Sequence, residues 1–166
     1  RARARIAREP AKIAPLSAVS VDLAPFETRN AIAGAVRLRF VRSGERTVLD
    51  RAFASSPARI FEARAMAPAC WVYAATLGGG LVGGDSVRMD IETVAGTRAL
   101  LATQASTKVY RSLRPASQSI DARVGDGALL AVLPDPVVCF AGAHFTQTQR
   151  YDLHADASLV AVDWMT

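Results

Sequence analysis

Five of the chain's 11 glycines fall between residues 78 and 84, and no other feature limits the possible folds so sharply. Only glycine takes positive φ without strain and lets a second backbone come within contact of its own. The stretch Leu77-Gly78-Gly79-Gly80-Leu81-Val82-Gly83-Gly84-Asp85 therefore reads as a tight bend at which chain segments meet. Gly79, Gly80, Gly83 and Gly84 are its structural turn positions. A phosphate cradle is the obvious alternative, but the residues deny it. No Lys-Ser/Thr pair closes the run, and no G-x-G-x-x-G frame leads into a helix. Instead Val87, Met89 and Ile91 alternate with Arg88, Asp90 and Glu92, the period of a half-buried strand.

Beyond that strand the chain repeats itself. Residues 89–94 turn at Ala95-Gly96-Thr97 into residues 99–102, and residues 120–124 turn at Gly125-Asp126-Gly127 into residues 128–131. Residues 151–153 turn at His154-Ala155-Asp156 into residues 158–161 in the same way. Leu100, Leu129 and Leu159 then correspond, 29 and 30 residues apart. A fixed period of this length signals stacked units, each burying its apolar face on the next. Alternation dominates, so the units are strands. The expectation is a mainly β chain with few or no helices, its strand units stacked in a β-helical, solenoid-like arrangement of sheets. A meander of hairpins in a β-sandwich is the competing architecture.

Before the glycines, residues 1–34 carry Pro10, Pro15 and Pro25 without sustained periodicity, which predicts a basic, extended leader. Order is expected from residue 35 to residue 166, as part of a single β-rich domain. Val36, Leu38 and Phe40 alternate with Arg37 and Arg39, and Ser43-Gly44-Glu45 leads to Thr47-Val48-Leu49 at hairpin distance. Residues 58–65 suit a short strand or a helical turn. Cys70-Trp71-Val72-Tyr73-Ala74 reads as the strand that enters the glycine run, with residues 66–69 as a loop before it.

Charge narrows the function classes. Residues 1–64 hold 13 Lys/Arg against 6 Asp/Glu, and the remainder holds 7 against 9. The basic excess thus sits outside the repetitive body, where a nucleic-acid binder would need it. No window approaches about 18 uninterrupted apolar residues, so a membrane span is not expected. Two cysteines, Cys70 and Cys139, make no disulfide framework, and no apolar secretory segment is seen. A reducing, cytoplasmic setting follows as the default.

Chemistry-bearing residues are few. Asp85 places a carboxylate at the mouth of the glycine bend. Polar residues 103–112 follow an apolar strand abruptly, as at a partner surface or a channel rim. Within them, Lys108, Tyr110 and Arg111 are of interface type, since Tyr brings amphipathic area and Arg bidentate hydrogen bonding. Cys70, Cys139, His144 and His154 have no closed-zinc spacing. An oxygen-lined passage for a divalent ion would draw on Asp85, Asp135 and Asp163. No nucleophile elbow, Ser/His/Asp order or paired-carboxylate motif appears, so the chain reads as a binding scaffold rather than an enzyme.

Residues 79–85 and 99–112 together closely resemble the urease accessory protein UreD family, also called UreH. Residues 133–138, Phe140-Ala141-Gly142-Ala143 and Val162-Asp163-Trp164 look like its following blocks, and Thr47-Val48-Leu49 and residues 70–73 like its earlier ones. The resemblance covers residues 35–166 and suits the family's N-terminal portion. It implies a β-rich, non-enzymatic chaperone that acts with UreF, the GTPase UreG and the urease apoprotein in nickel insertion. Nickel would then be in transit, with no tightly bound cofactor and neither nucleic acid nor membrane as partner. It further implies that Asp85, Thr107 and Asp163 face the nickel route, and that Lys108, Tyr110 and Arg111 serve partner contact. A free-standing β-solenoid adaptor unrelated to nickel is the alternative reading.

Overall fold

The computed structural model describes residues 34–63 and 68–166. The expected leader, Gly34 apart, and part of the loop at residues 66–69 lie outside the described residues. Four strands precede the glycines: β1 (Ala35–Ser43), β2 (Arg46–Ala54), β3 (Ala58–Ala63) and β4 (Cys70–Thr76). A 3-10 turn, Leu77–Gly79, opens the glycine run. Eight strands follow it: β5 (Ser86–Thr93), β6 (Arg98–Thr103), β7 (Thr107–Val109), β8 (Ala116–Val124), β9 (Leu129–Leu133), β10 (Val137–Cys139), β11 (Phe145–Leu153) and β12 (Ser158–Ala161). No α-helix occurs among the described residues. The segment that suited either a strand or a helical turn is β3.

These strands wind as a solenoid of about three turns. One sheet has the order β11-β8-β5-β1-β2 and a second β12-β9-β6-β4-β3. A third, narrow face joins β7 to β10 and is extended by parallel bridges Leu81 to Val109 and Val137 to Met165. From β5 onward every pairing is parallel. This excludes the sandwich of hairpins, whose sequential neighbours would run antiparallel. Antiparallel pairing is confined to the leading end, where β2 flanks β1 and β3 flanks β4. The hairpin expected near Ser43-Gly44-Glu45 is the β1–β2 pair, with a bulge between Arg39 and Phe40.

The register corrects one expectation. Leu100, Leu129 and Leu159 do not stack. Ala99, Leu130 and Leu159 do, while Leu100 pairs with Ala131 and Leu129 with Arg98 and Ser158. The first spacing is therefore 31 residues and the second 29, in both large sheets. The shift is physical. A strand reverses its buried face with each single-residue slip, and it is Leu130, fully buried, that faces inward, whereas Leu129 is half-buried.

Alternating side chains from the faces meet on the axis. Val36, Leu38 and Phe40 of β1, Val87, Met89 and Ile91 of β5, and Val72, Leu101, Leu130 and Val132 of the second sheet form one buried cluster with Leu81, Val109 and Val137 of the third face. Burial of an aliphatic side chain of this size stabilises by about 1.5–3 kcal/mol. The corners between the two large sheets repeat a turn closed by N–H donation to a carbonyl three residues back: Thr97 to Val94, Ala128 to Gly125 and Ala157 to His154.

These corners stack so closely that Gly125 admits no side chain. A Cβ there would lie 2.7 Å from Thr93 O and 2.8 Å from Ala95 N, both backbone atoms of the preceding corner. We expect Gly125→Ala to destabilise the chain by about 1–3 kcal/mol, the range for forced overpacking. Urea unfolding would measure this, with Gly127→Ala, where a Cβ meets nothing within 4 Å, separating crowding from the φ of 59° that Gly127 adopts.

Candidate functional site

The interior is not filled along its whole length. Small residues (Ala74, Ala75, Gly79, Ala105 and Ser106) leave a cavity of about 250 Å³ where β4 and β6 end and the 3-10 turn begins. It abuts a narrower space of about 20 Å³ toward the last turn, room for roughly one water molecule. Ala74, Met89, Thr103, Thr107 and Gln118 line both. The narrow part reaches Gln147, Gln149, Asp135, Asp163 and Trp164 at the β11–β12 end.

Position on the stack brings these polar groups together. Gln147 stands in register with Gln118, and Gln149 with Ile120. Where the second sheet turns into the third face, Thr103 Oγ1 donates to Asp135 Oδ2 at 2.9 Å and accepts from Asp135 N–H at 2.7 Å. One turn on, Trp164 Nε1 donates to Pro134 O at 2.9 Å. Because Val137 bridges Met165, Asp135 and Asp163 occupy equivalent corners, 28 residues apart. Gln147 Nε2 donates to Asp163 Oδ1 at 3.0 Å, and Tyr151 Oη donates to Gln149 Oε1 at 2.6 Å. Gln147 Oε1 and Gln149 Nε2 are buried with no partner among the described residues. An unmade bond of this kind costs about 1–3 kcal/mol, so the space suits occupants able to hydrogen-bond.

Of the route residues named from the sequence, Thr107 and Asp163 line this narrow space together. Asp85 does not line either cavity. Its Oδ2 accepts from Val82 N–H at 2.9 Å and its own N–H donates to Val82 O at 3.0 Å, so it closes the glycine bend. Lys108, Tyr110 and Arg111 are exposed on the third face, and Lys108 also borders the wider cavity. Sequence reasoning held Thr103 only as part of the polar stretch 103–112 and did not single out Gln118, Gln147 or Gln149. The two glutamines of β11 hide in a run, Thr146-Gln147-Thr148-Gln149-Arg150, polar on both faces, where alternation gives no signal. Only the 29-residue register with β8 reveals which side turns inward.

Neither thiol is disposed toward soft-metal binding. Burial, then the adjacent Glu62, pushes Cys70 up to about 11, and Cys70 Sγ lies 3.6 Å from Glu62 Oε1. Burial raises Cys139 as well. No group of three or more His, Cys, Asp or Glu able to hold a metal ion occurs among the described residues. No helix among them is long and apolar enough to cross a membrane.

The family model described as UreD urease accessory protein matches residues 33–166. The chain belongs to the UreD family. It is 48% identical over 131 residues to the urease accessory protein UreD of Sorangium cellulosum, an overlap covering 79% of this chain and 42% of the relative. It is 46% identical over 132 residues to the UreD of an Anaeromyxobacter species, covering 79% and 44%. To the urease accessory protein D of Oryza sativa subsp. japonica it is 39% identical over 156 residues, covering 90% and 48%. This UreD-family chain thus spans about half the length of the curated relatives it matches.

The polar end of the narrow space can be read spectroscopically. Burial, with the Asp163 carboxylate as the lesser cause, pushes the Tyr151 phenol up from 10.0 to about 12. The protonated phenol is favoured in the fold, so its stabilisation is present below pH 10 and is lost as pH rises through about 12. In an absorbance titration of the chain's three tyrosines, the late component should vanish in Tyr151→Phe and move downward in Asp163→Asn. An unmoved component in Asp163→Asn would place that carboxylate away from the phenol.

Proposed function

We propose that this chain is the N-terminal portion of a urease accessory protein, a non-enzymatic chaperone and scaffold in the maturation of urease. In this reading it acts in the cytoplasm with UreF, UreG and the urease apoprotein, and nickel passes along it as cargo rather than as a resident cofactor. The observation that carries the reading is the polar-lined space at the β11–β12 end in a chain of the UreD family. Oxygen donors suit a hard or borderline divalent ion in transit. Hydroxyl and amide oxygens at Thr107, Gln118 and Gln147 can replace water around such an ion without binding it tightly. Asp163 supplies the charge that favours a cation over a neutral guest. Asp85 serves the same route in this proposal, from the bend.

The adaptor alternative has one favourable observation, the exposed aromatic side chains of the third face, but it leaves the polar interior without a purpose. A co-expression experiment decides between them. The natural full-length polypeptide would be produced with UreF, UreG and the urease subunits, and nickel per urease measured by plasma mass spectrometry. Thr107→Val and Asp163→Ala should leave the complex assembled while nickel loading falls by about tenfold, equivalent to roughly 1.4 kcal/mol at the limiting step. Asp85→Ala should behave likewise if the carboxylate serves the ion. Loss of assembly in that variant would make Asp85 structural, and unchanged nickel in all three would sink the route.

A further inference from the structure

The third face has an outer side whose chemistry the passage does not use. Because Leu81 bridges Val109 and Val109 pairs with Cys139, the residues that follow each of them stack in register. They are Val82, Tyr110 and Phe140, respectively 53%, 37% and 44% exposed. The Tyr110 and Phe140 rings stack with centroids 5.2 Å apart and planes 25° from parallel. This apolar stripe crosses three consecutive turns of the solenoid.

Cations flank it. Lys108 and Tyr110 both lie against Gly80, the Arg111 side chain lies against Gly142, and the Arg114 guanidinium lies against Gly84. Gly80 and Gly84 of the bend, and Gly142 beyond it, let these side chains settle close to the backbone. Among the described residues, none of Lys108, Arg111 and Arg114 forms a salt bridge. The first sheet differs. There Arg39 pairs with Asp50 and Glu92, Arg88 with Asp90 and Asp121, and Arg150 with Asp152. The first sheet's outer face carries these internal ion pairs, and among the described residues the third face carries none on its three cations beside exposed aromatic area.

We propose that the stripe Val82, Tyr110 and Phe140, with Lys108, Arg111 and Arg114 beside it, docks an acidic segment of a partner protein. The inference rests on the chain's place in a urease maturation assembly. Charge complementarity selects the partner's chemistry. Aromatic area with arginine at its edge is the composition of energetic centres in protein interfaces. Tyr110 and Phe140 stack on each other rather than standing apart to receive bases, which favours a protein over a nucleic acid. The occupant is a segment carrying several Asp or Glu residues, with an apolar side chain for the ring pair.

The test uses the natural full-length polypeptide co-expressed with UreF, UreG and urease subunits. Three variants are compared with wild type: Lys108→Glu with Arg111→Glu, Phe140→Ala, and Arg59→Glu on β3 as a control. Retention of one partner should fall by about tenfold or more in the first, fall less in the second and hold in the third. It should also weaken between about 0.1 and about 1 M salt, as screening of exposed charges requires. Replacing acids of that partner by Lys should restore the charge-reversed variant. If the reversed variant loses its thermal transition, Lys108→Gln with Arg111→Gln replaces it. Equal retention of every partner by wild type and variants overturns the proposal. So does a labelled single-stranded oligonucleotide that alone depends on these cations. Failure of wild type to retain any partner strikes instead at the maturation role.

Discussion

A strand in a parallel sheet finds its hydrogen-bond partner only after the chain has gone once around, so each turn must be the right length. The corners here meet that demand through backbone bonds between turns. Gly125 N–H donates to Thr93 O at 2.8 Å, and Ser158 N–H donates to Ala128 O at 2.8 Å. The third face does the same where its strands are shortest, with Leu81 N–H to Lys108 O at 2.7 Å and Phe140 N–H to Val109 O at 3.0 Å. A corner of the wrong length would slip the next strand by a residue and turn its apolar side outward. Every other feature of the molecule, interior and exterior, inherits its position from this stacking.

That dependence explains what was legible in the sequence. Alternation in β5 and glycines at Gly96 and Gly127 mark strands and corners by local chemistry, so the repeat and the solenoid could be read directly. The alignment of the second unit could not. Leu129 and Leu130 are adjacent and identical, and only burial of one decides the register. The third face left little trace, because three-residue strands such as β7 and β10 are too short to display a period. Their true signal is the 30-residue spacing from Thr107 to Val137, which requires knowing that the turns stack. Asp85 was legible as a residue at the bend, and its hydrogen bond to Val82 explains that placement by turn chemistry alone.

The interior changes character along the axis. Val87, Gln118 and Gln147 succeed one another in register, as do Met89, Ile120 and Gln149, and Ile91, Ala122 and Tyr151. An ordinary core would keep these columns apolar, since each buried amide needs partners that an aliphatic chain does not. Exchanging hydrocarbon for amide, turn by turn, lowers stability at the β11–β12 end and yields a surface that hydrogen-bonds. The exchange falls in columns of the first sheet, of which Gln118, Gln147 and Gln149 line the narrow space, while Val124 and Val132 remain buried hydrocarbon. The polar groups of this end thus stand beside an apolar wall rather than replacing it.

The glycine bend serves both sides of the wall. Gly79 lines the wider cavity, where any side chain would take up part of its volume. Gly80 and Gly83 pack against the third face, and a Cβ at Gly80 would lie 2.5 Å from Lys108 O and 2.8 Å from the Tyr110 ring. A Cβ at Gly83 would collide with the Ser112 side chain and approach Arg114 O at 2.6 Å. The same seven residues thus border the wider cavity and bring the basic, aromatic outer stripe against the backbone. Movement of the bend would alter the cavity mouth and the outer surface together, because there is no side-chain layer between them to absorb it. A partner docked on the third face, as proposed, would press on the same backbone turn that borders the cavity.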